Sequence, residues 1–193
     1  MLGNLDKYRI ILASNSPRRK ELLSGLGIRY EVKTLPDIDE SFPVGLDKMD
    51  IPVYIARAKA DAYRELMKPD ELIITADTIV WLEQEVMGKP ADAADARRML
   101  RALSGKTHQV ITGVCITALD VQKAFSTVTD VTFACLSDEE IDYYVERYHP
   151  MDKAGSYGIQ EWIGFVGVEC ISGSYFNVMG LPIQRLYTEL KKF

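Results

Sequence analysis

The sequence predicts an α/β fold built around a twisted, mixed β-sheet with flanking helices. Three observations carry this expectation. Short apolar runs such as Leu72-Ile73-Ile74-Thr75-Ala76 read as strands buried on both faces. Other segments, such as the one over about Pro52 to Met67, place apolar residues at helical spacing. The two kinds alternate along the chain instead of segregating into blocks, which is the pattern of a sheet covered by helices.

Taken in order, the chain opens with a short strand, Arg9-Ile10-Ile11-Leu12-Ala13, then a polar turn and a helix from about Pro17 to Gly25. Proline suits the first helical position, where a missing N–H costs nothing, and Ser16 before it can cap the helix. Leu22, Leu23 and Leu26 supply the buried stripe, and Gly25 and Gly27 end the helix. A second strand around Tyr30-Glu31-Val32 leads into a loop rich in proline and aspartate, Leu35 to Asp50. The helix after it sets Ile55, Ala56, Ala60 and Tyr63 on one face. Ile79-Val80-Trp81-Leu82 continues or follows the strand at Leu72–Ala76, and Glu83-Gln84 turns the chain toward Val86-Met87.

Asp92 is placed to cap a helix carrying Ala96, Met99, Leu100 and Leu103, closed by Gly105. Two long strands follow, about His108–Leu119 and Ala124–Phe133, joined across Asp120-Val121-Gln122-Lys123. Ser137 with Glu140 forms a capping box, with Leu136 and Ile141 as its hydrophobic staple. The last third reads as a strand, a glycine-rich turn and a terminal helix with Pro182 near its start.

The 193 residues suffice for one substantial unit or two small lobes sharing a sheet, and 47% hydrophobic with 26% charged residues is ordinary for a soluble domain. No apolar run approaches the roughly 18 residues that span a bilayer. Met1 to Lys7 lacks the apolar stretch of a signal peptide, so a cytosolic protein with no membrane partner is expected. Cys115, Cys135 and Cys170 form no C-x-x-C pair and each has an apolar residue beside it, which reads as reduced structural thiols on strands. The net charge of −5 does not invite nucleic acid, so a polyanionic ligand must be small and held by a local basic cluster.

Such a cluster exists at Ser14-Asn15-Ser16-Pro17-Arg18-Arg19. A helix N-terminus exposes N–H groups and about half a positive charge. Ser14 and Ser16 add hydroxyls, and the forked guanidinium groups of Arg18 and Arg19 match phosphate oxygens. Cations there oppose the helix dipole by roughly 0.3–1 kcal/mol each, so three in a row, Arg18, Arg19 and Lys20, are best explained by an anion between them and the helix end.

Carboxylates form a second set. Asp77 follows the buried run Leu72–Ala76 at the carboxyl end expected of ligand sites in α/β sheets, where it can hold Mg²⁺ or orient a water. Glu40 ends Pro36-Asp37-Ile38-Asp39-Glu40, which by itself reads as a solvated loop more than as a site. Lys59 and Lys89 read singly as surface lysines, though near Asp77 and Glu40 they would contact phosphate oxygens. In Asp152-Lys153-Ala154-Gly155-Ser156-Tyr157-Gly158-Ile159-Gln160, two glycines permit close backbone approach, and the Gln160 amide can read a base edge. Gly88-Lys89 is followed by Pro90 and is no P-loop, and His108 and His149 lack metal spacing and read as structural or surface residues.

Together with Lys59-Ala60, Ala76-Asp77-Thr78, Gly88-Lys89-Pro90, Leu103-Ser104-Gly105, Thr112-Gly113-Val114 and Gly180-Leu181-Pro182, in this order, these motifs closely resemble the Maf family of septum-formation inhibitor homologues over nearly the whole chain. The resemblance implies a single domain over 1–193, two lobes sharing a sheet, with an elongated fold like the inosine-triphosphate pyrophosphatases and an active site in the cleft between the lobes. It implies a nucleoside triphosphate pyrophosphatase that uses Mg²⁺ or Mn²⁺ and often forms homodimers. Asp77 matches the family's proton acceptor. Arg18, Thr78 and Gln160 match positions that set substrate choice, and Arg19, Glu40, Lys59 and Lys89 match other active-site positions. Metal would fall to Glu40 and Asp77. The Ala76-Asp77-Thr78 and Tyr157-Gly158-Ile159-Gln160 forms resemble the branch acting on dTTP and UTP, with Glu161 where the family commonly has glycine. Two rivals are a nucleotide-binding regulator of division that needs no turnover, and a pyrophosphatase of methylated or damaged nucleotides.

Overall fold

The computed structural model describes residues 2–193, Met1 lying outside them. Among the described residues seven strands form one sheet: β1 (Arg9–Leu12), β2 (Glu31–Val32), β3 (Glu71–Leu82), β4 (Glu85–Met87), β5 (Thr107–Thr117), β6 (Gln122–Phe133) and β7 (Val168–Ser172). Their order is β2-β1-β3-β5-β6-β7, with β4 paired to β3 off that path. β1 is parallel to β2 and β3, whereas β4 and β7 are antiparallel to β3 and β6. The helices are α1 (Pro17–Ser24), α2 (Ile51–Arg64), α3 (Ala93–Leu103), α4 (Asp138–Tyr148), α5 (Trp162–Gly167), α6 (Tyr175–Val178) and α7 (Ile183–Leu190). This is the mixed α/β sheet with flanking helices that the sequence predicts. No helix of the described residues is long and apolar enough to cross a membrane.

The predicted helix starts form as written. Ser16, Asp92 and Ser137 each accept a hydrogen bond from the amide three residues on, and Glu140 returns the bond to complete the capping box. Glu83 and Gln84, at φ of 49° and 73°, make the tight turn from β3 to β4.

The structure corrects three expectations. β3 runs without a break from Glu71 to Leu82, so Asp77 and Thr78 lie inside a strand and not beyond its carboxyl end. The apolar residues Ile79 to Leu82 keep the ladder going. It is β1 that stops, at Leu12 opposite Ile74. Cys115 is buried in β5, but Cys135 is exposed outside any strand and Cys170 is exposed on β7. Only one side of β7 is hydrogen-bonded in the strand order, so an apolar neighbour such as Ile171 does not make Cys170 a core residue. The last third also contains α5 and α6, of six and four residues, too short to show a helical period.

The chain divides into two compact units. The first holds the residues up to Asp77 with Thr112–Thr127 and Gly180–Phe193; the second holds Thr78–Ile111 and Val128–Met179. In the first, Ile11, Ile73 and Tyr63 pack with Ala13, Leu35, Ile38 and Met67. The α2 residues Ala56 and Ala60 meet Cys115 of β5. This close packing needs a glycine at 113, because a Cβ there would lie 2.2 Å from the Pro52 carbonyl carbon. In the second, His108, Phe133 and Tyr157 form an edge-to-face triad with centroids 4.9–5.4 Å apart. His108 Nε2 and Tyr157 Oη share a 2.7 Å hydrogen bond.

Two outcomes follow from this packing. Gly113→Ala should destabilise the protein by about 1–3 kcal/mol through overpacking, whereas Gly88→Ala, which meets nothing within 4 Å, should stay within about 0.5 kcal/mol; urea titration of both reads the difference. Burial pushes the His108 pKa down to about 4 from its ordinary 6.5. The unfolded chain therefore binds this proton first, and the stability contribution present above pH 6.5 is lost as pH falls through about 4. The window is worth about 3 kcal/mol. His108→Gln should flatten the stability–pH curve between those limits.

Candidate active site

α1 begins in a turn built by its own serines. Ser14 Oγ accepts from the Ser16 amide at 3.2 Å, and Ser16 Oγ accepts from the Arg19 amide at 3.5 Å. Two of the amides expected to face an anion are thus capped by side chains, leaving the hydroxyls and guanidinium groups as the polar equipment of the turn. Arg19 is partly accounted for inside the protein. Its Nε donates to the Gly180 carbonyl at 2.8 Å and its Nη1 to the Ala76 carbonyl at 2.9 Å. Burial lowers its pKa from the ordinary arginine value while Asp77 pulls the other way, and it stays a cation at any physiological pH. Arg18 is half-buried beside it.

The carbonyl that Arg19 holds belongs to the residue before Asp77. Asp77 is buried, and its Oδ1 accepts from Lys59 Nζ at 2.8 Å. The same ammonium lies 2.9 Å from Glu40 Oε1. The Lys59 and Asp77 side chains are each 12% exposed and that of Glu40 48%, so a nearly desolvated pair meets one wetter carboxylate. The pleat of β3 sends alternate side chains to one face. Thr75, two residues earlier, donates to the Ala56 carbonyl of α2 at 2.6 Å, and Asp77 reaches Lys59 on the same helix. Sequence position alone favoured a solvated loop for Glu40, and the structure puts it on the same cation as Asp77.

The pleat gives Thr78 the opposite face from Asp77. Val80, on that face, packs under residue 155, where a Cβ would meet its side chain at 2.8 Å. The amide of Gly155 in turn donates to the carbonyl of Gly88, which precedes Lys89. Lys89 itself is exposed between β4 and α3. Gln160 sits in the turn before α5 with its Oε1 buried and lacking a hydrogen-bond partner. The structure therefore brings Ser14, Ser16, Arg18, Arg19, Glu40, Lys59 and Asp77 into the first unit, and Thr78, Lys89 and Gln160 into the second.

Sequence reasoning missed the supports of the Gln160 turn. Tyr144 Oη donates to Glu161 Oε2 and accepts from the Gly158 amide at 2.9 Å. Buried Lys153 lies 3.2 Å from Glu161 Oε1. A Cβ on residue 164 would fall 1.8 Å from the Ile159 carbonyl oxygen, so only glycine lets α5 press against this turn. The departure at Glu161 was the one signal in the sequence that pointed here.

Glu40 and Asp77 suit a hard divalent cation. Both carboxylates already converge on one positive centre, Lys59 Nζ, and both offer oxygen ligands only. No group of three or more His, Cys, Asp or Glu residues that could hold a metal occurs among the described residues. A hard divalent cation such as Mg²⁺ commonly takes one or two carboxylates and completes its shell with water and substrate phosphates.

A family model described as Maf-like protein matches residues 9–193. The dTTP/UTP pyrophosphatase of Phocaeicola vulgatus is 74% identical over 192 residues, covering 100% of both chains. That of Bacteroides thetaiotaomicron is 66% identical, again covering 100% of each. Among solved structures, a HAM1 protein from Coxiella burnetii is similar with a TM-score of 0.49 and 17% identity, over 96% of this chain and 100% of that one. That likeness is too distant to establish the fold, but the sequence match runs from the first strand to the last residue, and the chain belongs to the Maf-like protein family.

Proposed function

We propose that the chain is a nucleoside triphosphate pyrophosphatase that hydrolyses dTTP and UTP to the monophosphate and diphosphate, working as one domain over residues 1–193. The observation that carries this reading is the Lys59 ammonium held between Asp77 and Glu40, with Arg19 fixing the peptide before Asp77. A binding module for nucleotide needs cations; it does not need a buried carboxylate locked in position beside them. The names of the relatives support the substrate class.

In the proposed reaction a water attacks the α-phosphorus, the α–β bridging P–O bond breaks, and diphosphate leaves with that electron pair. Asp77 orients the water and takes its proton. Lys59 holds the Asp77 carboxylate in one rotamer and places positive charge beside it. Arg19 fixes the backbone at Ala76, so the carboxylate keeps its geometry through turnover. Arg18, Ser14 and Ser16 contact phosphate oxygens from the turn before α1. Thr78, Lys89 and Gln160 supply further substrate contacts, with Gln160 addressing the base. Glu40 and Asp77 would hold the Mg²⁺ or Mn²⁺ ion, which when bound neutralises charge building on the phosphate oxygens. The net charge of −5 and the small basic cluster suit a free nucleotide in the cytosol and not nucleic acid.

Asp77→Asn keeps the shape and a hydrogen-bonding side chain but removes the base. Its kcat for UTP and dTTP should fall by about 10²–10⁴-fold while nucleotide still binds by calorimetry; near-normal diphosphate release would overturn the assignment. Chelation with EDTA should abolish turnover, and added Mg²⁺ or Mn²⁺ should restore it. A panel of triphosphates assayed for monophosphate separates the unmethylated pyrimidines from methylated or damaged nucleotides. The absence of turnover on every member would favour a regulator instead.

A further inference from the structure

We propose that Lys59 is a resident counter-ion on the metal ligands, which keeps a bare divalent ion out and admits it only together with the nucleotide; this rests on the reading of Glu40 and Asp77 as the metal-holding carboxylates of a pyrophosphatase. The ammonium and the metal need the same place. Lys59 Nζ lies 2.8 Å from Asp77 Oδ1 and 2.9 Å from Glu40 Oε1, so one cation already sits where the two carboxylates converge. Mg²⁺ binds its oxygens at about 2.1 Å, and an ion on these same two oxygens would stand within about 5 Å of Nζ. The Lys59 and Asp77 side chains are nearly desolvated, so little water lies between the two cations to screen their repulsion. The ion and the ammonium compete for one pair of carboxylates.

The charges around this point act in the same direction. Arg19 is close enough to feel both carboxylates, and it feels Arg18 as a further cation. Lys59 and Arg19 together therefore balance Glu40 and Asp77, and Arg18 tips the cluster positive. A bare divalent cation finds no net attraction in such a place. A triphosphate chain keeps net negative charge after taking up one divalent ion, so the metal–nucleotide complex meets the cluster with the favourable sign. Its phosphate oxygens also offer the ammonium new acceptors, and a lysine carries three rotatable donors on a flexible stem. Glu40 is the partner that Lys59 can release, because that carboxylate is half-exposed and water replaces the lost contact. Asp77 is the partner it keeps, since a nearly desolvated carboxylate has no such replacement. The phosphates of the nucleotide thereby free Glu40 for the ion that they carry in.

Mn²⁺ alone, titrated into the nucleotide-free protein and followed by the EPR signal of the unbound ion, tests this without turnover. Lys59→Met removes the charge and keeps the bulk of the stem, whereas Lys59→Arg keeps the charge. Lys59→Met should bind Mn²⁺ at least about tenfold more tightly than the wild type, and adding Asp77→Asn should remove the gain. Equal or weaker binding by Lys59→Met overturns the proposal. Lys59→Arg should stay at the wild-type affinity; a gain shared by both variants would mean that loosened packing and not charge is responsible, and would also overturn it. Should Lys59→Met fail to fold, the nucleotide-free wild type decides. Binding of Mn²⁺ tighter than about 0.1 mM, at a site that Asp77→Asn removes, overturns the proposal, and weaker binding upholds it. With α,β-methylene-UTP, whose bridging carbon resists hydrolysis, the wild type should retain Mn²⁺; the analogue bound without the ion overturns entry of the metal with the nucleotide. Should the analogue not bind at all, the pyrophosphatase reading has failed, and the nucleotide-free titrations alone decide the role of Lys59.

Discussion

A lysine ammonium carried most of the way out of water by a helix has to be met by negative charge, or its desolvation is uncompensated. Lys59 is met twice, by Asp77 on β3 and by Glu40 on the loop before α2. That requirement ties three segments of the first unit to one point. It sets the face of β3 that must look at α2, and the close approach of α2 to β5 at Gly113 brings the helix near enough for it. The mutual attraction also leaves Asp77 in a single orientation, which is what a group handling one water molecule needs. Arg19 adds a second tie from outside this triad, through the peptide at Ala76.

The second unit solves a different problem with similar means. Gln160 is neutral and short of partners, so its placement cannot come from its own contacts. It comes from the residues on either side, where Tyr144 and Glu161 close the turn and α5 presses on Ile159 through Gly164. A half-buried carboxylate carries a desolvation cost, and here Tyr144 and Lys153 offset it for Glu161 with one hydrogen bond and one ion pair. The turn is thus held from outside Gln160, whose buried Oε1 has no hydrogen-bond partner.

Much of this was legible from short-range chemistry. The caps at Ser16, Asp92 and Ser137, the turn at Glu83-Gln84 and the buried faces of α2 and α3 all formed where the sequence placed them. Two of the errors share one origin. Asp77-Thr78 looked like the end of a strand because a carboxylate interrupts an apolar run, yet an ion pair with Lys59 lets the strand continue through it. Cys170 looked buried because Ile171 beside it is apolar, yet β7 is hydrogen-bonded on one side only. In both cases the deciding partner lay elsewhere in the chain.

By itself the sequence determined the local structure and named the candidate reactive groups, because a cap or a tight turn involves residues three or four apart, and a motif names its own side chains. Tertiary structure decided what those groups do to one another. Lys59 finds Asp77 across 18 positions, Arg19 finds Ala76 across 57 and Gly180 across 161, and Tyr144 finds Glu161 across 17. Such pairings come from the packing of segments that lie far apart in the chain. No periodicity in the chain encodes them, since burial and charge compensation are properties of the packed neighbourhood and not of any one segment.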